Sequence, residues 1–344
     1  MLHAWLAAWW RHHGRRRPMF IEAAFKDDEL VAGIPIEVHR AATGIRASHF
    51  MGRYHAALAD VLVRQSEDDP IARCLVSRVR RRADYVDLFG LSRGSVVLRM
   101  FANEGRAIRR VGAPVLDLTP GWAEVYRTKT SSKRRNLHQR RRRQLAELGD
   151  VSFSMAYEEA ELSAALEEAF RLHDLRWLGR PDGSEFTTPV GRAFHRDAVR
   201  ALAREGIPRI ALLSVDGTPV AFHFYLLFAN TMYVHQLAFD PAYGKYSPGL
   251  LATLEAIGHA ASEDAQRVEF LGGDERYKIE LADEDEPLYE YIGLASTLRG
   301  RMGAAGTIGL IETRLRLKNS PWLQRWYLRG GKFRRAARSA RGKH

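Results

Sequence analysis

With 344 residues, of which 46% are hydrophobic and 27% charged, the chain is long enough for two domains with ordinary cores, and this composition excludes a disordered chain. A formal net charge of +12 favours anionic partners, whether coenzyme phosphates, nucleic acid, acidic polysaccharide or a lipid surface. The single cysteine, Cys74, excludes an intrachain disulfide and a cysteine-rich zinc site and fits a reducing cytoplasm.

Residues 2–10 are apolar, but basic residues follow them rather than precede them, no small-residue cleavage site appears, and the run is too short to span a bilayer. An amphipathic first helix packed on the N-terminal domain is expected. Residues 18–25 and 30–38 are apolar runs separated by Lys26-Asp27-Asp28-Glu29, a hairpin pattern. Helical spacing over 71–82 makes Cys74 a small core residue; 85–89 reads as a strand and 96–102 as a short helix. Further helices are expected near 133–148, 161–177 and 191–204, then strands at 209–215, 220–228 and 232–239. The turn Asp216-Gly217-Thr218-Pro219 makes the first two of these strands antiparallel. This alternation predicts an α/β protein of two mixed lobes, residues 1–118 and 119–318, followed by a basic tail, 319–344.

Several segments carry chemistry. In Asp240-Pro241-Ala242-Tyr243-Gly244-Lys245-Tyr246-Ser247-Pro248-Gly249-Leu250, Ser247 can be an N-cap, Pro248 the first helical residue and Gly249 the second. The free N–H groups of such a turn favour an anion, and the glycines let backbone approach it closely. Leu162, Leu166 and Phe170 form a buried stripe that His173 and Trp177 extend, while Arg176 beside it needs a carboxylate or phosphate partner. His223 reads as a satisfied core histidine, whereas His235-Gln236 is a polar pair just before the anion turn. Residues 268–278 read as a strand ending on Gly272-Gly273 that delivers Asp274, Tyr277 and Lys278 into a turn. The run Asp283-Glu284-Asp285-Glu286 lacks calcium-loop spacing and is expected to be a solvated loop, so no metal is expected. Basic residues cluster at 133–143 and again at 332–343; the aromatics Trp322, Trp326, Tyr327 and Phe333 accompany the second cluster, a mixture suited to an anionic lipid surface as well as to RNA. No phosphate-binding Gly-x-x-x-x-Gly-Lys or dinucleotide Gly-x-Gly-x-x-Gly pattern occurs.

Taken in order, the basic Arg-Arg helix, Leu172-His173-Asp174-Leu175-Arg176-Trp177, Phe194-His195, the strand hairpin, Tyr246-Ser247-Pro248-Gly249 and Gly272-Gly273-Asp274-Glu275-Arg276-Tyr277-Lys278 resemble the CelD/BcsL-type branch of the acyl-CoA N-acyltransferase (GNAT) superfamily. The resemblance spans residues 133–278 and extends more weakly toward the N-terminus. The superfamily's usual pyrophosphate loop is replaced here by 243–249. The resemblance implies two GNAT-like mixed-sheet lobes in a Fem-like tandem arrangement. It also implies an acyl-CoA (acetyl-CoA) co-substrate and N-acylation of an amino sugar or other cell-envelope or polysaccharide precursor, in a bacterial cytoplasm or at the inner face of the membrane. Under it, Tyr246, Ser247, Gly249 and Leu250 hold the coenzyme and Tyr277 is the acid. Asp274, in preference to His235, is the base, Lys278 and Arg176 orient an anionic acceptor or tune Tyr277, and Trp177 and His195 help bind the acceptor. A Fem-type transferase using aminoacyl-tRNA is the alternative, and a non-catalytic scaffold that docks on membranes or nucleic acid is another.

Overall fold

The computed structural model describes residues 2–14, 17–53, 55–64, 69–177, 184–273 and 275–318; Asp274 and the tail 319–344 lie outside the described residues. Six strands precede the first crossing of the chain: β1 (Met19–Lys26), β2 (Glu29–Arg40), β3 (Arg46–Phe50), β4 (Leu62–Val63), β5 (Tyr85–Leu91) and β6 (Gly105–Val111). Seven build the second sheet: β7 (Pro114–Asp117), β8 (Val151–Ala156), β9 (Pro208–Val215), β10 (Thr218–Phe228), β11 (Thr231–Phe239), β12 (Arg267–Glu269) and β13 (Glu284–Asp285). The chain then returns to the first sheet as β14 (Leu288–Gly293). The first sheet runs β1-β2-β3-β5-β14-β6, with β4 on β2, and the second β13-β7-β12-β11-β10-β9-β8. Sheet membership thus divides the chain elsewhere than a boundary at residue 118 would: β7 already belongs to the second sheet, and β14 belongs to the first.

The helices are α1 (His3–Trp9), α2 (Asp69–Val79), α3 (Val96–Phe101), α4 (Trp122–Lys129), α5 (Ser132–Ala146), α6 (Glu159–Trp177), α7 (Pro189–Ala203), α8 (Pro248–Ser262), α9 (Arg276–Leu281) and α10 (Leu298–Lys318). Each sheet holds one parallel pair, β3 with β5 and β11 with β12, and antiparallel strands flank both pairs. Each parallel pair is joined through a helix, α2 in one lobe and α8 in the other, as a parallel connection requires. The topology is therefore doubled. No helix among the described residues is long and apolar enough to cross a membrane.

Local chemistry explains the turns. Asp27 and Asp28 take left-handed φ values of 49° and 64°, and Asp216 and Gly217 take 47° and 73°, which are the backbones of two-residue hairpin turns. Thr188 caps α7 by accepting from Gly191 N at 2.9 Å, with Pro189 at the first position. Phe222 and Phe224 pack with α6, while Ala221 and Tyr225 pack on the side of α8, so the centre of the second sheet is buried on both faces.

Three expectations are corrected. Cys74 is exposed, because Ala72, Leu75, Val76 and Val79 already form the inward stripe of α2 and residue 74 falls on the other face. Helix α1 packs chiefly on α7 of the second lobe, with Trp5, Leu6 and Trp9 joining Phe194, Ala198 and Leu202 in one core. Residues 283–286 are an edge strand rather than a free loop: Asp283 accepts from Asp117 N and Asp285 from Ala113 N, each fixing β7.

Glu22 on β1 is buried and accepts hydrogen bonds from Arg78 Nε at 2.9 Å and Arg82 Nε at 2.7 Å, fastening the end of α2 to the sheet. Burial alone would raise this carboxyl, but the two guanidinium bonds outweigh it and hold the group below its usual range. A depressed carboxyl stabilises the fold fully above the unfolded value near 4.5 and loses that contribution as pH falls through the native value. Glu22→Gln is expected to cost on the order of 1–2 kcal/mol at pH 7, since both arginines are largely exposed. Urea unfolding should show the two proteins converging in stability below pH 4.5; a pH-independent gap would rule out the pairing.

Candidate functional site

The parallel strands β11 and β12 pair only from Thr231 to Tyr233 against Arg267 to Glu269. Beyond that point they part, and a cleft of about 970 Å³ opens between residues 234–239 on one side and 270–272 on the other. The start of α8 forms one end, Trp5, Phe186 and Phe194 another wall, and Ala57 and Phe89 bring in the first lobe. Much of the lining is aromatic or aliphatic, with polar groups at a few points, as ligand clefts require.

At the α8 end, Asp240 caps a 3-10 turn, Pro241–Tyr246, by accepting from Ala242 N at 2.9 Å. Ser247 follows with φ 55° and ψ 48°, and its side chain makes no capping bond, contrary to the sequence expectation. It turns the chain from one helix axis into the next, which needs a left-handed residue. Pro248 has no N–H and the first bond of the helix runs from Leu251 N to Ser247 O at 3.2 Å, so the Gly249 and Leu250 amides stand at the positive end of α8. Gly244, Ser247, Gly249 and Leu250 line the cleft. Tyr246 does not; its ring is buried with Leu145, Val215 and Leu251. Gly249 is required for a second reason, since a Cβ there would meet Phe239 Cδ1 at 2.9 Å. The face of Phe239 carries the Arg176 guanidinium at 4.7 Å, placing that cation on the cleft wall. The arginine-rich α5 touches the 3-10 turn from outside and exposes Arg140, Arg142 and Arg143.

His235 lies at a bulge. Phe224 pairs with Gln236 and Tyr225 with Val234, leaving His235 as the extra residue of β11. Its Nε2 is 3.1 Å from Nε2 of His195, whose Nδ1 donates to Gly191 O at 2.7 Å. That donation leaves His195 Nε2 as an acceptor, so His235 Nε2–H must donate and His235 Nδ1 keeps a free lone pair. Burial, and then the nearby His55, push His235 down to about 4, and burial followed by His235 lowers His195 well below its usual value. Both rings are neutral at physiological pH.

Opposite, Tyr277 on α9 lies edge-on to Phe270 with ring centres 6.2 Å apart, and burial followed by the Glu275 charge raises its hydroxyl, which stays protonated. Lys278 is buried; its Nζ donates to Gly272 O at 3.2 Å and pairs with Glu275 at 3.0 Å, so its charge is engaged within the turn. Trp177 lines the cleft and stacks on His173 at 5.7 Å. His173 itself is buried behind it, pushed down to about 4 by burial. His223 is a core histidine as expected but not a satisfied one, since neither nitrogen has a hydrogen-bond partner among the described residues. Of the expected site residues, the cleft thus gathers Arg176, Trp177, His195, His235, Ser247, Gly249, Leu250, Tyr277 and Lys278. Trp5, His55, Phe186 and Glu185 also line it, and no local pattern in the sequence marks them as site residues.

The paired imidazoles give a direct measurement. Nitrogen-15 NMR at neutral pH is expected to find His195 as the Nδ1–H tautomer and His235 as the Nε2–H tautomer. Replacing His195 by Phe should remove the fixed tautomer of His235; an Nδ1–H form of His235 in the parent protein would refute the dyad as described.

Residues 132–279 match a family model described as "Acetyltransferase (GNAT) domain". No curated protein matches the chain in sequence. Among solved structures, the fold is similar to FemX (TM-score 0.59, 9% identity, 85% of this chain and 90% of that one). It is also similar to L-PGS from Bacillus licheniformis (0.54, 13%, 87% and 94%). A third likeness is to a conserved protein of unknown function from Bacteroides thetaiotaomicron (0.56, 11%, 84% and 90%). At such identities the likeness establishes the fold alone. The chain thus adopts a tandem GNAT-like, Fem-like fold, and most of its cleft lining falls in the segment that matches the GNAT acetyltransferase domain, with Trp5, His55, Ala57 and Phe89 added from outside it.

Proposed function

We propose that the second lobe transfers an acyl group from coenzyme A to an amine, with an amino sugar or another cell-envelope precursor as acceptor. One observation carries this reading: an apolar cleft opens where β11 and β12 part and ends on the Gly249 and Leu250 amides of α8. A thioester with a phosphate-bearing tail needs that combination, an apolar channel for the chain and a dipole end for the anion. The Arg176 guanidinium adds positive charge on the wall. The amine nitrogen attacks the thioester carbonyl, the C–S bond breaks, the ammonium proton passes to a base, and the departing thiolate takes a proton. Tyr277, held protonated, is the acid in this scheme. His235 Nδ1 offers a lone pair for the ammonium proton, directly or through water, and Asp274 is the other residue for that role.

An aminoacyl-tRNA donor is the second reading, favoured by the exposed arginines of α5 beside the anion turn. Acetyl-CoA and longer acyl-CoAs should raise the melting temperature under the first reading, because a ligand that prefers the folded state stabilises it. If only aminoacyl-tRNA binds, and does so at high salt, the second reading replaces it.

Two variants locate the chemistry. Tyr277→Phe keeps the ring against Phe270 and is expected to lower kcat by on the order of a hundredfold with donor affinity little changed. Turnover at the parent rate would remove Tyr277 from the mechanism. Gly249→Val should weaken acyl-CoA binding, both by crowding the amides and by displacing Phe239 with its stacked Arg176. Undiminished coenzyme affinity in the folded variant would exclude the α8 end as the phosphate site.

A further inference from the structure

Three segments far apart in sequence meet beside the histidine dyad. His13 belongs to the irregular turn after α1, His55 to the loop after β3, and Glu185 to the 3-10 turn before α7. His13 Nε2 lies 3.6 Å from Glu185 Oε2, His55 Nε2 lies 3.4 Å from Glu185 Oε1, and all three ligand atoms fall within 4.8 Å of one another. Three of the facing atoms, His13 Nε2, His55 Nε2 and Glu185 Oε2, are buried and have no hydrogen-bond partner among the described residues. His55 Nδ1 sits 3.1 Å from Arg53 O, to which it can only donate, so the neutral ring presents a bare lone pair from Nε2. An imidazole lone pair and a carboxylate facing one another repel unless a proton or a metal cation stands between them.

We propose that His13, His55 and Glu185 bind a divalent transition-metal ion, zinc being the best match to a donor set of two imidazole nitrogens and one carboxylate oxygen. Bond lengths of ~2.0–2.2 Å in a tetrahedral site place neighbouring ligand atoms about 3.4 Å apart. Each imidazole nitrogen already lies near this distance from one of the two Glu185 oxygens, 3.6 Å for His13 and 3.4 Å for His55. The backbone carbonyl behind His55 is the outer partner that fixes a ligating histidine in the required tautomer. Trp9 stacks on His13 with an interplanar angle of 17°, fixing the second ring. Three protein ligands leave a fourth position, and because His55 and Glu185 both line the cleft, that position opens into it and can take water or a substrate oxygen. The ion would also tie two N-terminal segments to the second lobe. The expectation of no metal was formed on the cysteine count and on residues 283–286, neither of which bears on histidines gathered by the fold.

The test uses the full-length protein, stripped with a chelator, dialysed and titrated with zinc alone in a calorimeter. One equivalent per chain is expected, with His55→Gln and Glu185→Gln each weakening it by on the order of a hundredfold. His12→Gln, whose ring instead contacts Asp197 at 3.1 Å, should bind like the parent. No stoichiometric binding by the parent, equal binding in the ligand variants, or equal loss in His12→Gln would each overturn the site. Should the variants fail to fold, cobalt substitution of the parent decides: intense visible bands of a four-coordinate nitrogen and oxygen site are expected, and their absence overturns the proposal.

Discussion

The fork between β11 and β12 is the constraint from which the rest of the second lobe follows. Two parallel strands that pair for three residues and then diverge leave a row of backbone N–H and C=O groups without sheet partners, and such groups are costly unless water or a ligand meets them. The separation persists because each strand is held from elsewhere. Strand β11 is fixed along its length by β10 and by α6 and α8, and β12 by β7. The bulge at His235 increases the local twist on the open side, and the approach of α8 permitted by Gly249 seats a helix N-terminus at the end of the gap.

The first lobe shows what happens when the same fork is not kept open. Strands β3 and β5 pair only at Ala47 with Tyr85 and Ser48 with Val86, and directly beyond lies a buried cluster of charge. Arg53 bonds to Asp87 at 3.0 Å and to Glu290, His49 approaches Asp87 at 3.5 Å, and Arg110 also pairs with Glu290. Asp87 and Glu290 are 2% and 0% exposed, so the cluster occupies space that the other lobe leaves to a ligand. Buried ion pairs of this kind add little net stability, because desolvation offsets most of the attraction. Their effect here is to fill one fork, leaving the other as the large cleft among the described residues.

What could be read from the chain was whatever is local. The hairpins at Asp27-Asp28 and Asp216-Gly217, the helices from α5 to α8 and the strands β9 to β11 follow from periodicity and turn chemistry within a window of about fifteen residues. The anion turn, Arg176, His235 and Tyr277 were legible for the same reason, each sitting in a short segment with its own chemical signature. Strands β7, β13 and β14 are too short or too charged to announce themselves and exist because a neighbour is waiting. The orientation of Cys74 was misjudged because a helical stripe can be read only when its face is known, and the αL backbone of Ser247 because a serine before proline ordinarily signals a side-chain cap. His55, Glu185 and Trp5 were invisible as site residues, since distant pairing alone brings them to the cleft.

Strand β14 sits between β5 and β6, so these two strands of the first lobe are not neighbours; β6 takes its pairing from residues 288–293, and β5, held by β3 on one side, takes its other partner there. A ribosome emits β5 and β6 long before β14. The N-terminal sheet therefore cannot close during synthesis until the strands of the second sheet have all emerged, so the lobe that starts first is completed last. The stitching runs one way: β7 to β13 are contiguous and complete the second sheet by themselves, whereas the first sheet, cut off from residues 288–293, is left with open edges on β5 and β6.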